Sequence, residues 1–287
     1  MKYFLPLLFV LAVSQAFAQL KPQTKTKQWF DTKNNFHKHR AYIYWGYNRE
    51  KFSTTDLHIH GTGYDFTLYN ATAHDLPEKF NLKVYLVPWY MTIPQYNCHG
   101  GFFIRNNLHL SFGNDHMKYV ITENQTVKIS GVIDSSISKQ FAGSYLMNDK
   151  VLTYDFFRFE HTNGLNLYTL NLEYFLPIFH SVNDNLHVGL NAGVGGLIVL
   201  TKTDVKYFGI HMDNRFHVSG VCIPFNIGPR IEYGHFFMGT EMKTGYMFLP
   251  WVILQNNEED LANHNFSFLE QYAFAGLSFP FGKKRTN

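Results

Sequence analysis

Two short clusters in the chain carry side chains whose types and spacing could do chemistry. Glu160-His161-Thr162-Asn163-Gly164 sets an imidazole beside a carboxylate and a hydroxyl. A histidine activates a hydroxyl only within hydrogen-bond reach, which on an extended strand means a residue two positions on, along the same face. That position holds Asn163, and Thr162 points to the other face unless a bulge intervenes. His161 is therefore a catalytic candidate that lacks its nucleophile, and no catalytic residue is assigned. The second cluster is Asp56-x-His58-x-His60, which on a strand brings three ligand types to one face. Imidazole and carboxylate at that spacing suit Zn or Cu. A fourth ligand would have to come from elsewhere, with His74 as the nearest choice. In a chain with 15 histidines, exposed polar side chains are the simpler reading. Asp56, His58 and His60 stand as metal candidates only, and no metal or cofactor is expected.

The elements that would position these residues are strands. From Ala273 the odd positions of the last strand are Ala273, Ala275, Leu277, Phe279 and Phe281, all apolar, against Phe274, Gly276, Ser278 and Pro280. Alternation at period two marks a strand with one oily face. Leu186–Leu200 repeats it, with Leu186, Val188 and Leu190 on one face and His187, Gly189 and Asn191 on the other. Ala41–Arg49, Met91–Ile104, Leu108–Val120, Thr153–Leu176, Phe216–Tyr233 and Phe236–Trp251 supply the rest, with a bulge expected near Asn163-Gly164. The connections between them run alternately long and short, as in a barrel with long outer loops and short periplasmic turns. The pattern predicts an all-β, closed antiparallel up-and-down transmembrane barrel of about eight strands over residues 41–282. Ten strands result if Asp56–Asn70 enters as an extra hairpin. The last loop is expected over Gln255–Asn265.

The polar face of these strands would line the lumen: Gln95, Asn97, His99, His109, Thr169, Asn171, Glu173, His187, Asn226, Arg230, Glu232, Glu241 and Lys243. An eight-stranded barrel is barely wide enough for its own side chains, and buried charges must pair. Glu173, Glu232 and Glu241 against Arg230 and Lys243 form the expected network, in a lumen that is plugged and does not conduct.

Residues 1–18 have one early cation, Lys2, an apolar run from Phe4 to Val13, and Ala16-Phe17-Ala18. That is the pattern of a secretory signal peptide, and the run is too short for a spanning helix of about 20 residues. Residues 19–40 are polar and basic and read as a periplasmic lead-in. Aromatics make up 17% of the chain and charged residues only 16%, a balance that suits the aromatic girdles of a barrel better than a soluble domain. A net charge of +3 gives no argument for nucleic acid. Cys98 and Cys222 fall on different strands with opposite facing and are expected as free thiols.

The stretches YIYWGYNR (42–49), GYDFTL (63–68), GNDHMKYV (113–120), FEHTNGLN (159–166) and the closing strand give the chain from Ala41 to Phe281 a resemblance to small bacterial outer-membrane β-barrel proteins of the OmpA-like and OmpW-like class. That resemblance implies a fold and a place in the cell outer membrane of a Gram-negative bacterium, and brings no catalytic residues with it. The implied partners are outer-membrane lipid, lipopolysaccharide and the barrel-assembly machinery during insertion. The expected role is structural or surface-binding. Two alternatives remain: a narrow passage for small apolar molecules, as in OmpW-like proteins, and a lipid A-modifying hydrolase. The second rests on the likeness of the segment around His161 to the His-x-Ser-Asn motif of the lipid A 3-O-deacylases.

Overall fold

The computed structural model of the protein describes residues 29–79, 81, 90, 94–212, 214–256 and 259–280. The expected signal peptide at 1–18, residues 19–28 of the lead-in, Met91–Ile93 and the barrel end at 281–282 lie outside them. Every named element is a strand: β1 (Arg40–Phe52), β2 (Thr55–Gly61), β3 (Tyr64–Ala71), β4 (Ala73–His74), β5 (Tyr96–Phe103), β6 (Leu108–Ile121), β7 (Thr126–Ile133), β8 (Gly143–Val151), β9 (Phe157–His180), β10 (Leu186–Thr201), β11 (Asp204–Tyr207), β12 (Ile210–Met212), β13 (His217–Tyr233), β14 (Phe236–Ile253) and β15 (Leu261–Pro280). All belong to one antiparallel sheet.

The pairing forms a ring. It passes through β1, β5, β6, β9, β10, β13, β14 and β15, and returns where β15 pairs with β1 from Arg40↔Pro280 to Phe52↔Phe268. Short turns at 104–107, 181–185 and 234–235 join the strands at one end, the end that also holds Arg40 and Pro280. The long connections leave from the other end. Three of them carry strands that sequence alternation leaves unresolved. Hairpin β2–β3 leans on the upper end of β15 through Leu261↔His60 to His264↔Leu57, and β7 and β8 extend the same sheet. The Asp56–Asn70 hairpin therefore exists, but it extends the sheet above the ring and does not enter it. The last connection is shorter than expected, because β15 begins at Leu261.

Polarity inverts along the ring. In the lower part the outward side chains are apolar and exposed: Leu170, Leu172, Val194, Ile223, Phe225, Ile227, Leu277 and Phe279 among them. The residues between them point inward and are mostly polar, packed with an aromatic cluster of Tyr42, Tyr44, Phe103, Phe175, Phe237, Tyr272 and Phe274. In the upper part the inward residues are apolar, and Phe157, Phe159, Leu165, Leu167, Met247, Leu249, Phe266 and Phe268 join Leu57, Ile59, Phe66 and Ile129 of the added sheet in one buried core. A sheet with an apolar outer face and a charged inner face exposes the wrong side to water and the right side to lipid.

The described part of the lead-in is not a free tail. Trp29 pairs with Phe179 in an isolated bridge, Phe36 stacks on His187 with ring centroids 3.7 Å apart, and His37 stacks on Phe103 at 4.6 Å. Residues 29–39 thus close the lower mouth of the ring.

Candidate functional site

The inward residues of the ring build a polar interior in three tiers. At the lower mouth Arg230 Nε lies 2.7 Å from Glu232, and the guanidinium sits 3.8 Å from the centre of the Phe237 ring. His37 of the lead-in reaches the same carboxylate at 3.2 Å. Arg230 and Glu232 are both buried and alternate with outward Pro229 and Ile231 on β13, so strand period alone aims them inward.

In the middle tier Glu173 and Glu241 share two amide donors. Asn191 donates to Glu173 at 3.1 Å and to Glu241 at 3.0 Å, and Asn226 donates to them at 3.0 and 2.8 Å. Ser111 adds a bond to Glu173 at 2.7 Å, and the Tyr272 hydroxyl bonds Glu241. His109 stands 3.5 Å from Glu173, with its other nitrogen 2.8 Å from Asn191. The two carboxylates are held by neutral donors and an imidazole, an arrangement that distributes charge without a lysine or arginine in contact.

In the upper tier Lys243 Nζ donates to Asp115 at 2.5 Å and lies 3.7 Å from Glu270. His99 and Asn97 also donate to Asp115, at 2.8 and 2.6 Å. The His99 ring reaches across β6 because residue 113 is glycine: a Cβ there would lie 2.2 Å from His99 Cγ. Glu270 accepts from Asn48 and Asn97, both at 2.7 Å, and Glu50 accepts from the Gln95 amide.

The expected network is therefore placed inside, with its partners redistributed. Arg230 meets Glu232, but Lys243 serves Asp115 and Glu270, and neither Glu173 nor Glu241 touches a cation other than histidine. Asp115, Glu270, Glu50 and Asn48 join the interior in addition to the residues expected there. Asp115 shares odd parity with inward His109, and Glu270 shares even parity with inward Tyr272 and Phe274. Both were within reach of the same alternation. Glu50 escapes the alternation because the predicted first strand ends at Arg49, three residues short of the end of β1 at Phe52.

His161 lies above these tiers, fully buried in the upper core against Phe159 and Tyr119. Its Nδ1 is 3.1 Å from the Thr203 hydroxyl and its Nε2 is 3.3 Å from His264 Nε2. The register between β6 and β9 slips between Met117↔Leu165 and Tyr119↔His161, which is the bulge expected near Asn163. Asn163 is exposed, Asp115 belongs to the upper tier of the interior, and Glu160 bonds Arg158 at 3.0 Å. The hydroxyl beside His161 comes from Thr203, beyond β10, and no spacing in the sequence links the two.

Asp56 accepts a bond from the Asn70 backbone at 2.8 Å and so pins hairpin β2–β3. His58 pairs with Asp65 at 2.8 Å, with the His60 ring 5.1 Å away, and His74 sits on β4 beside Thr122 at 3.2 Å. Among the described residues no group of three or more His, Cys, Asp or Glu side chains is placed to hold a metal ion. Cys98 and Cys222 are free thiols, one half-buried and one buried. In the added sheet Tyr64 donates to Asp260 at 2.5 Å and lies 2.7 Å from the Tyr207 hydroxyl. Burial pushes both phenols well above their ordinary range, with Asp260 adding to the rise at Tyr64.

No protein-family model matches the chain, and no curated protein does. Solved structures do. The outer membrane protein AlkL is 10% identical with a TM-score of 0.37, over 93% of this chain and 100% of that one. The outer membrane protein OprG from Pseudomonas aeruginosa is 10% identical with a TM-score of 0.35, over 85% and 97%. Neisserial surface protein A is 9% identical with a TM-score of 0.32, over 83% and 97%.

Proposed function

We propose that the protein is an eight-stranded transmembrane β-barrel of the outer membrane. In this reading the lumen is closed to conduction, and the sheet β2–β3–β7–β8 stands above the membrane as a surface-presented structural or binding module. The observation that carries it is the inversion of polarity along the long strands β9 and β15. An apolar belt around a charged interior is stable only where lipid, including lipopolysaccharide in the outer leaflet, covers the belt. The short turns mark the periplasmic end, where the barrel-assembly machinery would receive both chain ends. The closed lumen is supported by residues 29–39 at the lower mouth, the three polar tiers, and the apolar core above them.

An epitope inserted at Ser136, in the exposed turn between β7 and β8, should be detected on intact cells, and the purified barrel should give no stable single-channel steps in a planar bilayer. Detection only after outer-membrane permeabilisation would refute the orientation, and large stable steps would refute the closed lumen.

One observation favours a second reading, lipid A hydrolysis: the Thr203 hydroxyl stands 3.1 Å from His161. Against it, both groups are buried beneath aromatic side chains, where an acyl ester has no approach. Lipid A from cells making the wild type or His161→Ala should carry identical acyl patterns. An acyl chain lost only with the wild type would establish the hydrolase.

A further inference from the structure

Three carboxylates of the upper tier have one lysine between them. Lys243 bonds Asp115 and reaches Glu270 at 3.7 Å, whereas Glu50 has the neutral Gln95 amide as its hydrogen-bond partner. Glu50 and Glu270 are direct cross-strand partners on β1 and β15, 5% and 0% exposed. Like charges opposite one another in a sheet are destabilising, and more so where water cannot screen them.

Four buried oxygens in this tier have no hydrogen-bond partner among the described residues: Glu50 Oε1, Glu270 Oε2, Asn48 Oδ1 and Asn97 Oδ1. Asn48 and Asn97 are 3% and 0% exposed, and their amide nitrogens both fasten on Glu270 Oε1 at 2.7 Å. Each unpaired carbonyl is therefore carried by an amide already anchored to the same carboxylate. Two carboxylates and two carboxamide carbonyls, all oxygen, are the donor set of a hard cation, and a mix of carboxylate and amide oxygens suits the flexible coordination of calcium better than magnesium, which keeps most of its waters.

The tier also has an approach. Among the described residues β1 pairs with β5 only as far as Gly46↔Asn97 and next meets β4 at Lys51↔His74, which interrupts the ladder on that side of β1 over residues 47–50. Glu50 lines a cavity of about 420 Å³ between β4 and the β1–β15 ladder, together with Arg49, Lys51, His74, Asp75, Leu269 and Gln271. Asp75 holds Arg49 at 2.6 Å, which keeps that guanidinium on the rim.

We propose that Glu50, Glu270, Asn48 and Asn97 form a calcium site in the upper lumen, entered through the break beside β1. The competing account is a proton shared between the two carboxylates. The test uses the full-length protein purified in detergent, freed of lipopolysaccharide and stripped with a chelator, and titrated with calcium chloride by calorimetry while the thermal unfolding midpoint is followed. The expected result is saturable binding of a single ion, a rise in the midpoint, a weaker response to magnesium, and loss of both effects in Glu50→Gln. Asn48→Ala, which removes one carbonyl and no charge, should weaken binding, and it serves if Glu50→Gln fails to fold. An absence of calcium binding by the wild type, equal responses to both metals, or undiminished binding in either folded variant would overturn the proposal.

Discussion

The ring has two interiors, and they differ in kind. Below the level of Glu270 carboxylates, amides and imidazoles, joined at hydrogen-bond distance, share the space with a cluster of aromatic rings that includes Tyr42, Tyr44, Phe175 and Phe237. Above that level it is filled with Phe, Leu and Met. β15 crosses both. Its outward residues are Ala273, Ala275, Leu277 and Phe279 below, and Ser267, Asn265 and Asn263 above, while Phe266 and Phe268 point inward above. The period of two never breaks along the strand, but the meaning of each face changes with the medium outside. Lipid accepts the apolar side chains, so the polar ones must satisfy one another within. Water accepts the polar ones, so the apolar ones form an ordinary core. In the proposed transmembrane reading, the change of sign marks the outer surface of the membrane.

The sharpest way to break this contrast is to remove a charge from the lower interior. Lys243→Ala leaves Asp115 and Glu270 buried without their lysine, and should cost about 3–5 kcal/mol of stability. Equilibrium unfolding in urea from lipid vesicles measures it. An effect below that of a surface substitution would mean that the tier is hydrated and screened.

In the upper interior the corresponding change is Phe266→Ala, which opens a cavity among Phe52, Tyr119 and Phe268. It too should cost about 3–5 kcal/mol by transfer and cavity terms, at the lower end if the core collapses. The loss should appear first as protease sensitivity of the β2–β3–β7–β8 sheet, with the ring still folded. Simultaneous loss of both regions would show that the two interiors unfold as one.

A matched pair of outward substitutions locates the boundary. Phe225→Arg, on the exposed face of β13, should destabilise by about 2–4 kcal/mol, since it puts a guanidinium into hydrocarbon. Ser267→Arg, also outward on a ring strand, should stay within about 0.5 kcal/mol because it faces water. Equal costs would erase the proposed boundary.

The smallest effect is expected at Leu146, which is 86% exposed on the edge strand β8. Leu146→Ser should change stability by no more than about 0.5 kcal/mol. Its value lies in the comparison: an apolar residue exposed above the boundary contributes nothing to folding, whereas Phe225 below it does.

Much of this was legible in the chain. Alternation aimed Glu173, Arg230, Glu232, Glu241 and Lys243 inward, and the same parity, carried a few residues further, reaches Asp115 and Glu270. The bulge near Asn163 followed from the glycine beside it. The partners were not legible. Lys243 and Asp115 are 128 residues apart, on strands that do not pair with each other, and meet only across the width of the ring. Nor could the sequence join His161 to Thr203 or His264, which converge from three separate strand ends.

What the sequence determined by itself is facing, because the side-chain period of a strand is a local property of the backbone. Distances across the interior were decided by tertiary structure, since they depend on which strands close the ring and at what register. The same holds for the Asp56–Asn70 hairpin. Its sequence makes it a hairpin, but only the edge offered by the upper half of β15 decides that it extends the sheet above the ring and does not widen it.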